Sequence, residues 1–368
     1  MCIRDRATSY AENTLGIKYR YRDKRGAWVG GAMVYMERAL GAKWLAALFC
    51  VFCLLSSFGI GNMAQVNSVA DALRHSFAIP PPVTGLLTAA AVGLVVMGGI
   101  KRIAAVTEKL VPLMVVAYVA GCLACIVINM DRAPEALGSI FSQAFGWRPA
   151  AGGAAGYGVM RSVRMGVSRG VFSNEAGLGS SVMAHSACDV SEPVKQGMWG
   201  MFEVFTDTIV MCTLTALVIL TSGVYDTQGY LSYLAAGQTV TEGAALTTRA
   251  MSATLGNAGA YFVPVALALF AFSTILGWSY YGERGVEYLL GRRFVPLYRA
   301  LFVAASFVGA VCGLRLVWGI CDTFNGLMAI PNLAAITLLS GRVIEMTTDY
   351  FARNAAAENP PGRMEKRR

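Results

Sequence analysis

Charge is what this sequence has least of. Only 14% of its 368 residues are Asp, Glu, Lys or Arg, while 55% are hydrophobic. A soluble domain carries roughly 25% charged residues, so the chain lacks the charge to cover a water-facing surface. Histidine is scarcer still: His75 and His185 stand alone. They cannot make an H-E-x-x-H zinc motif, and histidine-based metal chemistry is not expected. No long linker or polar domain separates the apolar runs. The cysteines do not fill the gap. Most lie inside apolar segments, and the two C-x-x-C pairs, Cys50/Cys53 and Cys122/Cys125, lack the flanking turns and further ligands that zinc or redox use requires. They read as small apolar side chains of membrane helices. The net charge of +9 does not point to nucleic acid, because the basic residues sit in short loops between apolar runs.

What is present is a series of runs long enough to cross a bilayer, which takes about 17–25 apolar residues. They are Trp44–Val66, Val83–Ile100, Leu110–Met130, Met198–Ser222, Ala258–Tyr281, Tyr298–Leu314 and Leu316–Leu339. Ala154–Ser186 is weaker, rich in Gly and Ser, and reads as a helix with a break. That makes about eight spans, as expected of a multi-pass inner-membrane protein in a lipid bilayer. Lysine and arginine set the orientation. Residues 18–43, 101–109, 284–299 and the tail after Gly341 are basic, and the alternate loops are poor in Lys and Arg. Residues 18–43 and the C-terminus are therefore expected in the cytoplasm, with 131–148 and 223–256 outside. Within the first of these outer stretches, Pro134–Phe145 is short and amphipathic and suits the membrane interface. Thr8–Tyr19 reads as the end of a helix, Met1–Arg6 matches nothing around it, and the sequence is expected to continue upstream.

Polar groups inside apolar spans are costly and mark function by default. Ser57–Asn67 places Asn62 and Gln65 on one helix face, between close-approach glycines at 59 and 61; interhelical hydrogen bonding is the competing reading. Arg169–Ser181, with Asn174 and Glu175 among small residues, suits either a functional helix break that exposes backbone to an ion or zwitterion or a cytoplasmic turn. Glu203 and Asp207 are like charges one turn apart, either an ion relay or an interface pair reaching Arg161 or Arg164. Phe272–Glu283 offers the hydroxyls of Ser273 and Thr274 as hard oxygen ligands, with Trp278 one turn on to close a small pocket. Those hydroxyls could equally bond back to the preceding turn, and Trp278 could anchor at the interface. Asp322–Asn332 combines Asp322 and Asn325 on one face with Pro331, which frees a carbonyl; a kinked packing helix explains it as well.

Several runs together resemble the alanine/glycine:cation symporter family, also called the sodium:alanine symporters. They are Tyr10-Ala11-Glu12 with Lys18-Tyr19-Arg20, Gly30-Gly31 with Met36-Glu37, Gly59–Gln65, Lys101-Arg102-Ile103 with Glu108-Lys109, Gly170–Gly179, Phe202–Thr208, Thr274–Glu283 and Asp322–Asn332. The resemblance covers nearly everything from Ala7 to the tail. It implies an all-α, leucine-transporter-type bundle of two inverted repeats around a site near the midplane. On that basis residues 7–152 hold the remainder of the first repeat, from the end of its second core helix through its fifth. Residues 153–341 hold the second repeat, and residues 342–368 a cytoplasmic tail. The family's broken first helix is expected upstream, and transport is expected to need it. The resemblance further implies symport of a small amino acid, alanine or glycine, with sodium, no cofactor beyond that coupling ion, and no enzymatic activity. Ser273 and Thr274 would face sodium. Thr274, Gly277, Trp278 and Gln65 would line the cargo pocket, with Asn62, Asn174 and Asp322 as further candidates. Proton coupling or another small solute on the same fold is the alternative; a channel or membrane-embedded enzyme would need a uniform pore lining or a nucleophile–base set.

Overall fold

The computed structural model describes residues 2–24, 26–145, 166, 170–225 and 243–358. The described chain is an all-α membrane protein with one small hairpin, Tyr21–Arg22 (β1) against Trp28–Val29 (β2). The helices are α1 (Cys2–Tyr19), α2 (Ala32–Arg38), α3 (Lys43–Phe77), α4 (Pro81–Val96), α5 (Ile100–Ile128), α6 (Ala133–Phe145), α7 (Val182–His185), α8 (Pro193–Thr221), α9 (Ala244–Leu255), α10 (Asn257–Leu290), α11 (Val295–Val311), α12 (Leu314–Leu338) and α13 (Ser340–Glu358).

Among the described residues, five helices are long and apolar enough to cross a membrane: α3, α5, α8, α10 and the run Arg292–Val311 that contains α11. A sixth candidate is the pair Cys321–Leu338 and Ser340–Ala357, bent by 55° at its break, and α4 is a shorter apolar helix. These account for seven of the expected spans. The first half of the eighth, Ala154–Ser186, lies largely outside the described residues, as do Arg161 and Arg164. The amphipathic stretch expected at Pro134–Phe145 forms α6.

Two boundaries differ from the sequence reading. The helix expected to end at Val66 runs on to Phe77, because Asn67 donates to the carbonyls of Gly309 and Cys312 at 2.8 Å each and so stays buried. It stops where Ala78 takes a left-handed conformation (φ 55°) before three prolines, a helix end that proline cannot extend. The helix expected to end at Tyr281 continues to Leu290. Its charged end is neutralised locally: Glu283 takes Arg299 at 2.8 Å, and Glu287 takes Arg284 at 2.8 Å. Charged residues end an apolar run rather than a helix, and their pairing offsets the cost of burying them. The first residues also differ from expectation, since Cys2–Arg6 belongs to α1 and Asp5 within it is fully buried.

Contacts divide the chain into two compact units, and the division falls inside α3, α8 and α12. The first comprises residues 1–53, 170–206 and 325–368. In it α1 lies along the first half of α8, where Gly197 and Gly200 leave no room for a Cβ against Thr14 and Asn13. Tyr10 ties α1 to α13 through Thr347, 2.6 Å away. The Arg20 guanidinium caps the carbonyls of Ser186, Cys188 and Val190 and stacks on Trp28. The second unit comprises residues 54–169 and 207–324. Its core joins the second half of α3 to α4, α10 and α11 through Val66, Val92, Ile275, Leu276 and Phe302. A further cluster joins α5, α8, α9 and α10 through Cys122, Cys125, Val218, Met251 and Val263. The thiols of both C-x-x-C pairs are buried and unbridged.

Candidate functional site

The polar residues of α3 and α10 meet within the second unit. The two helices run antiparallel in a regular register. Gly282 sits where a Cβ would press on Ser57 Oγ at 2.5 Å, and Gly61 sits where a Cβ would overlap the Trp278 side chain. Four turns on, Phe77 stacks against Tyr261 with ring centroids 5.1 Å apart. Each turn forward on α3 is thus a turn back on α10. Gln65, one turn beyond Gly61, comes level with Thr274, one turn before Trp278. Spacing on α10 does the rest, because Thr274, Gly277, Trp278 and Tyr281 fall at i, i+3, i+4 and i+7 and share one face.

That face has a gap. A Cβ on Gly277 would meet only the Tyr281 hydroxyl, at 3.9 Å. Trp278 is 2% exposed and packs edge-on to Tyr281 with centroids 5.5 Å apart. It is therefore a core residue rather than an interface anchor. Ser273 and Thr274 both donate to the Phe270 carbonyl, at 2.8 and 3.0 Å. This is the bonding to the preceding turn that the sequence left open. It engages each hydroxyl's proton and leaves the oxygen lone pairs available.

Opposite, α3 carries a π-helical segment, Gly59–Met63, of the kind often found at functional sites. Gln65 Nε2 donates to the Ile60 carbonyl at 3.3 Å, and Gln65 is half-buried. Asn62, on the same segment, faces α11 instead. Its Nδ2 donates to the Phe302 carbonyl at 2.6 Å, and its Oδ1 accepts from Ser306 at 2.8 Å, all fully buried. The amide is spent on helix packing. Asp322 is exposed at its position on α12.

Asn174 belongs to the first unit, at the end of a short helical stretch over residues 170–174. The expected break follows it: Glu175 (φ 53°), Gly177 (φ 91°) and Gly179 (φ 75°) are all left-handed. Here the structure reveals a residue the polar-cluster reading passed over. Glu12 of α1 is fully buried and accepts the amides of Gly177 and Gly179 at 3.1 and 3.0 Å and Nδ2 of Asn332 at 2.5 Å. Asn332 also donates to the Gly177 carbonyl at 2.9 Å and accepts from the Tyr35 hydroxyl. The turn and α12 thus meet α1 at one carboxylate, and α2 joins them through Asn332. A lone Glu in a polar stretch of α1 carries no sequence signal of this, because its partners lie up to 320 positions away.

Glu203 pairs with His185 at 2.9 Å within the first unit. A G-x-S-x-G spacing occurs at Gly166-Val167-Ser168-Arg169-Gly170. A nucleophile elbow needs a strand leading into it, and residues 167–169 lie outside the described residues. Among the described residues no group of three or more His, Cys, Asp or Glu is placed to hold a metal ion.

Comparison with known proteins places the chain in a family. The model of the sodium:alanine symporter family matches residues 2–363. Among curated relatives, an uncharacterized transporter of Haemophilus influenzae is 44% identical over 94% of this chain and 74% of its own length. The sodium/alanine symporter AgcS of Methanococcus maripaludis is 43% identical over 94% of this chain and 74% of its own length. The "Probable sodium/glutamine symporter GlnT" of Bacillus subtilis is 38% identical over 96% of this chain and 71% of its own length. With a family match over nearly the whole chain and relatives at this identity, the chain belongs to the sodium:alanine symporter family.

Proposed function

We propose that this protein is a sodium-coupled symporter of a small neutral amino acid, alanine or glycine, built as a leucine-transporter-type inverted repeat with its C-terminus in the cytoplasm. The observation that carries the reading is the gap at Gly277, walled by Trp278 and Tyr281 and level with Gln65 across the antiparallel pair of α3 and α10. Gln65, Thr274, Gly277 and Trp278 line the cargo pocket. The donating hydroxyls of Ser273 and Thr274 keep oxygen lone pairs for sodium, a hard cation that prefers oxygen ligands. Asn62 takes a packing role in this reading, and Asn174 enters it on the family resemblance alone.

A bulky indole beside a glycine suits a cargo whose side chain is a hydrogen or a methyl group. Attraction to one methylene discriminates by only about 1–3 kcal/mol, so sharp selection rests on steric exclusion by Trp278. The relatives frame the question, since one is named for alanine and another for glutamine. The test is uptake of radiolabelled alanine by the full-length protein in proteoliposomes. Uptake should require an inward sodium gradient and be competed by unlabelled glycine but not by glutamine. Uptake that runs equally well in potassium, or that glutamine competes as well as glycine does, overturns the reading.

A further inference from the structure

The Glu12 carboxylate has an unequal pair of oxygens. Oε1 accepts three hydrogen bonds, from Gly177 N, Gly179 N and Asn332 Nδ2. Oε2 is equally buried and has no hydrogen-bond partner among the described residues. No arginine, lysine or histidine pairs with either oxygen among the described residues, and the charge that acts on Glu12 is the like charge of Glu175. A buried carboxylate with no cation is expensive to keep ionised. Three donors on one oxygen and none on the other is the division expected of a neutral acid, whose carbonyl oxygen accepts while its hydroxyl oxygen carries hydrogen.

We propose that Glu12 is a proton-binding site, with an exchangeable proton on Oε2, and that its protonation state governs how the turn at residues 175–179 is held. The proton comes from bulk water and returns to it, with the O–H bond at Oε2 forming and breaking and no other covalent change.

The surroundings select a proton over an alkali ion. Sodium needs several oxygens at once. The atoms that reach Glu12 are instead N–H donors, two from the turn and one from Asn332, and these would face a metal ion with their positive ends. Among the described residues, the titratable groups that face Glu12 are Glu175 from the turn and Tyr35 from α2, the latter through Asn332. The other elements packed on α1 present neutral groups at their contacts among the described residues: α7 and its end through Val182 and Ser186, with His185 turned to Glu203, α8 through Gly197 and Gly200, α12 through Asn332, and α13 through Thr347. Glu175 is held by Ser180, whose hydroxyl donates to it at 2.7 Å. Ionised Glu12 would therefore face a second negative charge across a glycine turn in left-handed conformation. It would be relieved by letting that turn move and water reach Oε2. This links proton release to motion of the break and is independent of the cargo carried.

Infrared difference spectroscopy of the purified full-length protein in lipid nanodiscs, titrated with pH, reads the proton directly. The wild type should show the C=O stretch of a buried carboxylic acid that disappears as pH rises. Glu12→Gln, which keeps the accepting oxygen and the shape, should lack it. Glu175→Gln should keep the band but lose it at lower pH, because the repelling charge is gone. Replacing potassium with sodium should leave the titration in place. A wild-type band that persists in Glu12→Gln overturns the proposal, as does a titration that moves to lower pH with added sodium, which would make the site an alkali-ion site. Should Glu12→Gln not purify as a folded protein, Glu12→Asp decides: the band must shift in frequency, and an unshifted band assigns the proton elsewhere.

Discussion

Thr274→Val removes one oxygen from the proposed sodium site and leaves the shape of the side chain almost unchanged. The structure allows the cost elsewhere to be bounded. The Thr274 hydroxyl donates to the Phe270 carbonyl at 3.0 Å, but Ser273 donates to the same carbonyl at 2.8 Å, so that acceptor is not orphaned by the substitution. A neutral hydrogen bond contributes about 0.5–1.5 kcal/mol net, and with a second donor in place the loss should fall at the bottom of that range. A sodium ligand is another matter. Bonds to a charged group are worth about 1.5–3 kcal/mol, and each 1.4 kcal/mol is tenfold in affinity. The sodium concentration for half-maximal alanine uptake should therefore rise roughly ten- to hundred-fold, with the melting temperature nearly unmoved. Because coupling between sites is reciprocal, alanine affinity at fixed low sodium should fall with it and recover at saturating sodium. Sodium titrations of uptake in proteoliposomes, with thermal melts of the same preparations, make the measurement. A half-saturating sodium concentration equal to that of wild type removes Thr274 from the site, whatever happens to stability.

Trp278→Ala should open the pocket and let valine and leucine compete for uptake while weakening alanine; an unaltered competition profile with lowered protein yield would mean the indole is a packing residue only. Asn62→Ala should remove two buried hydrogen bonds, one to the Phe302 carbonyl and one from Ser306, and lower stability by about 1–3 kcal/mol at about 0.5–1.5 kcal/mol per bond, with alanine KM unchanged; a raised KM at normal stability would return Asn62 to the cargo site. Gly200→Val should disrupt the seam between α1 and α8, where even a Cβ would overlap Asn13, and wild-type expression and melting of that variant would refute the close packing. Cysteines placed at Arg22 and Arg293 in a cysteine-depleted background should resist an impermeant thiol reagent in intact cells, and labelling at 293 would reverse the proposed orientation.

Much of the architecture was legible because hydrophobic runs report spans directly. What misled was charge. Glu283, Arg284 and Glu287 lie past the apolar run that ends at Tyr281, yet with Arg299 they form a largely buried ionic group and α10 continues through them. A sequence window cannot see that neutralisation, since Arg299 comes from the next helix. That the proposed pocket residues share one face of α10 was legible because i, i+3, i+4 spacing is local. Their register against Gln65 was not, because it depends on glycines at 61 and 282 admitting Trp278 and Ser57. Glu12 was quoted only as part of a family run, and nothing local marks it as the point where four segments meet.

These polar residues can be sorted by how much of their hydrogen-bonding capacity the protein itself consumes. Asn62 gives one N–H to a backbone carbonyl and takes a hydroxyl on its oxygen, both on α11, and it is fully buried against that helix, so its amide is committed to packing. Ser273 and Thr274 spend only their protons, both on one carbonyl that a single donor would satisfy. Gln65 spends one N–H at 3.3 Å and has an oxygen that accepts from no described residue. Glu12 spends one oxygen and strands the other. In lipid the alternative to a partner is an unsatisfied group at a cost of several kcal/mol, so capacity left unspent at depth is not retained for packing. The spent group, Asn62, is a joint between helices, and exchanging it should change stability. The groups with unspent acceptors are where a cation, a cargo ammonium or a proton can be received, and exchanging them should change ion dependence first.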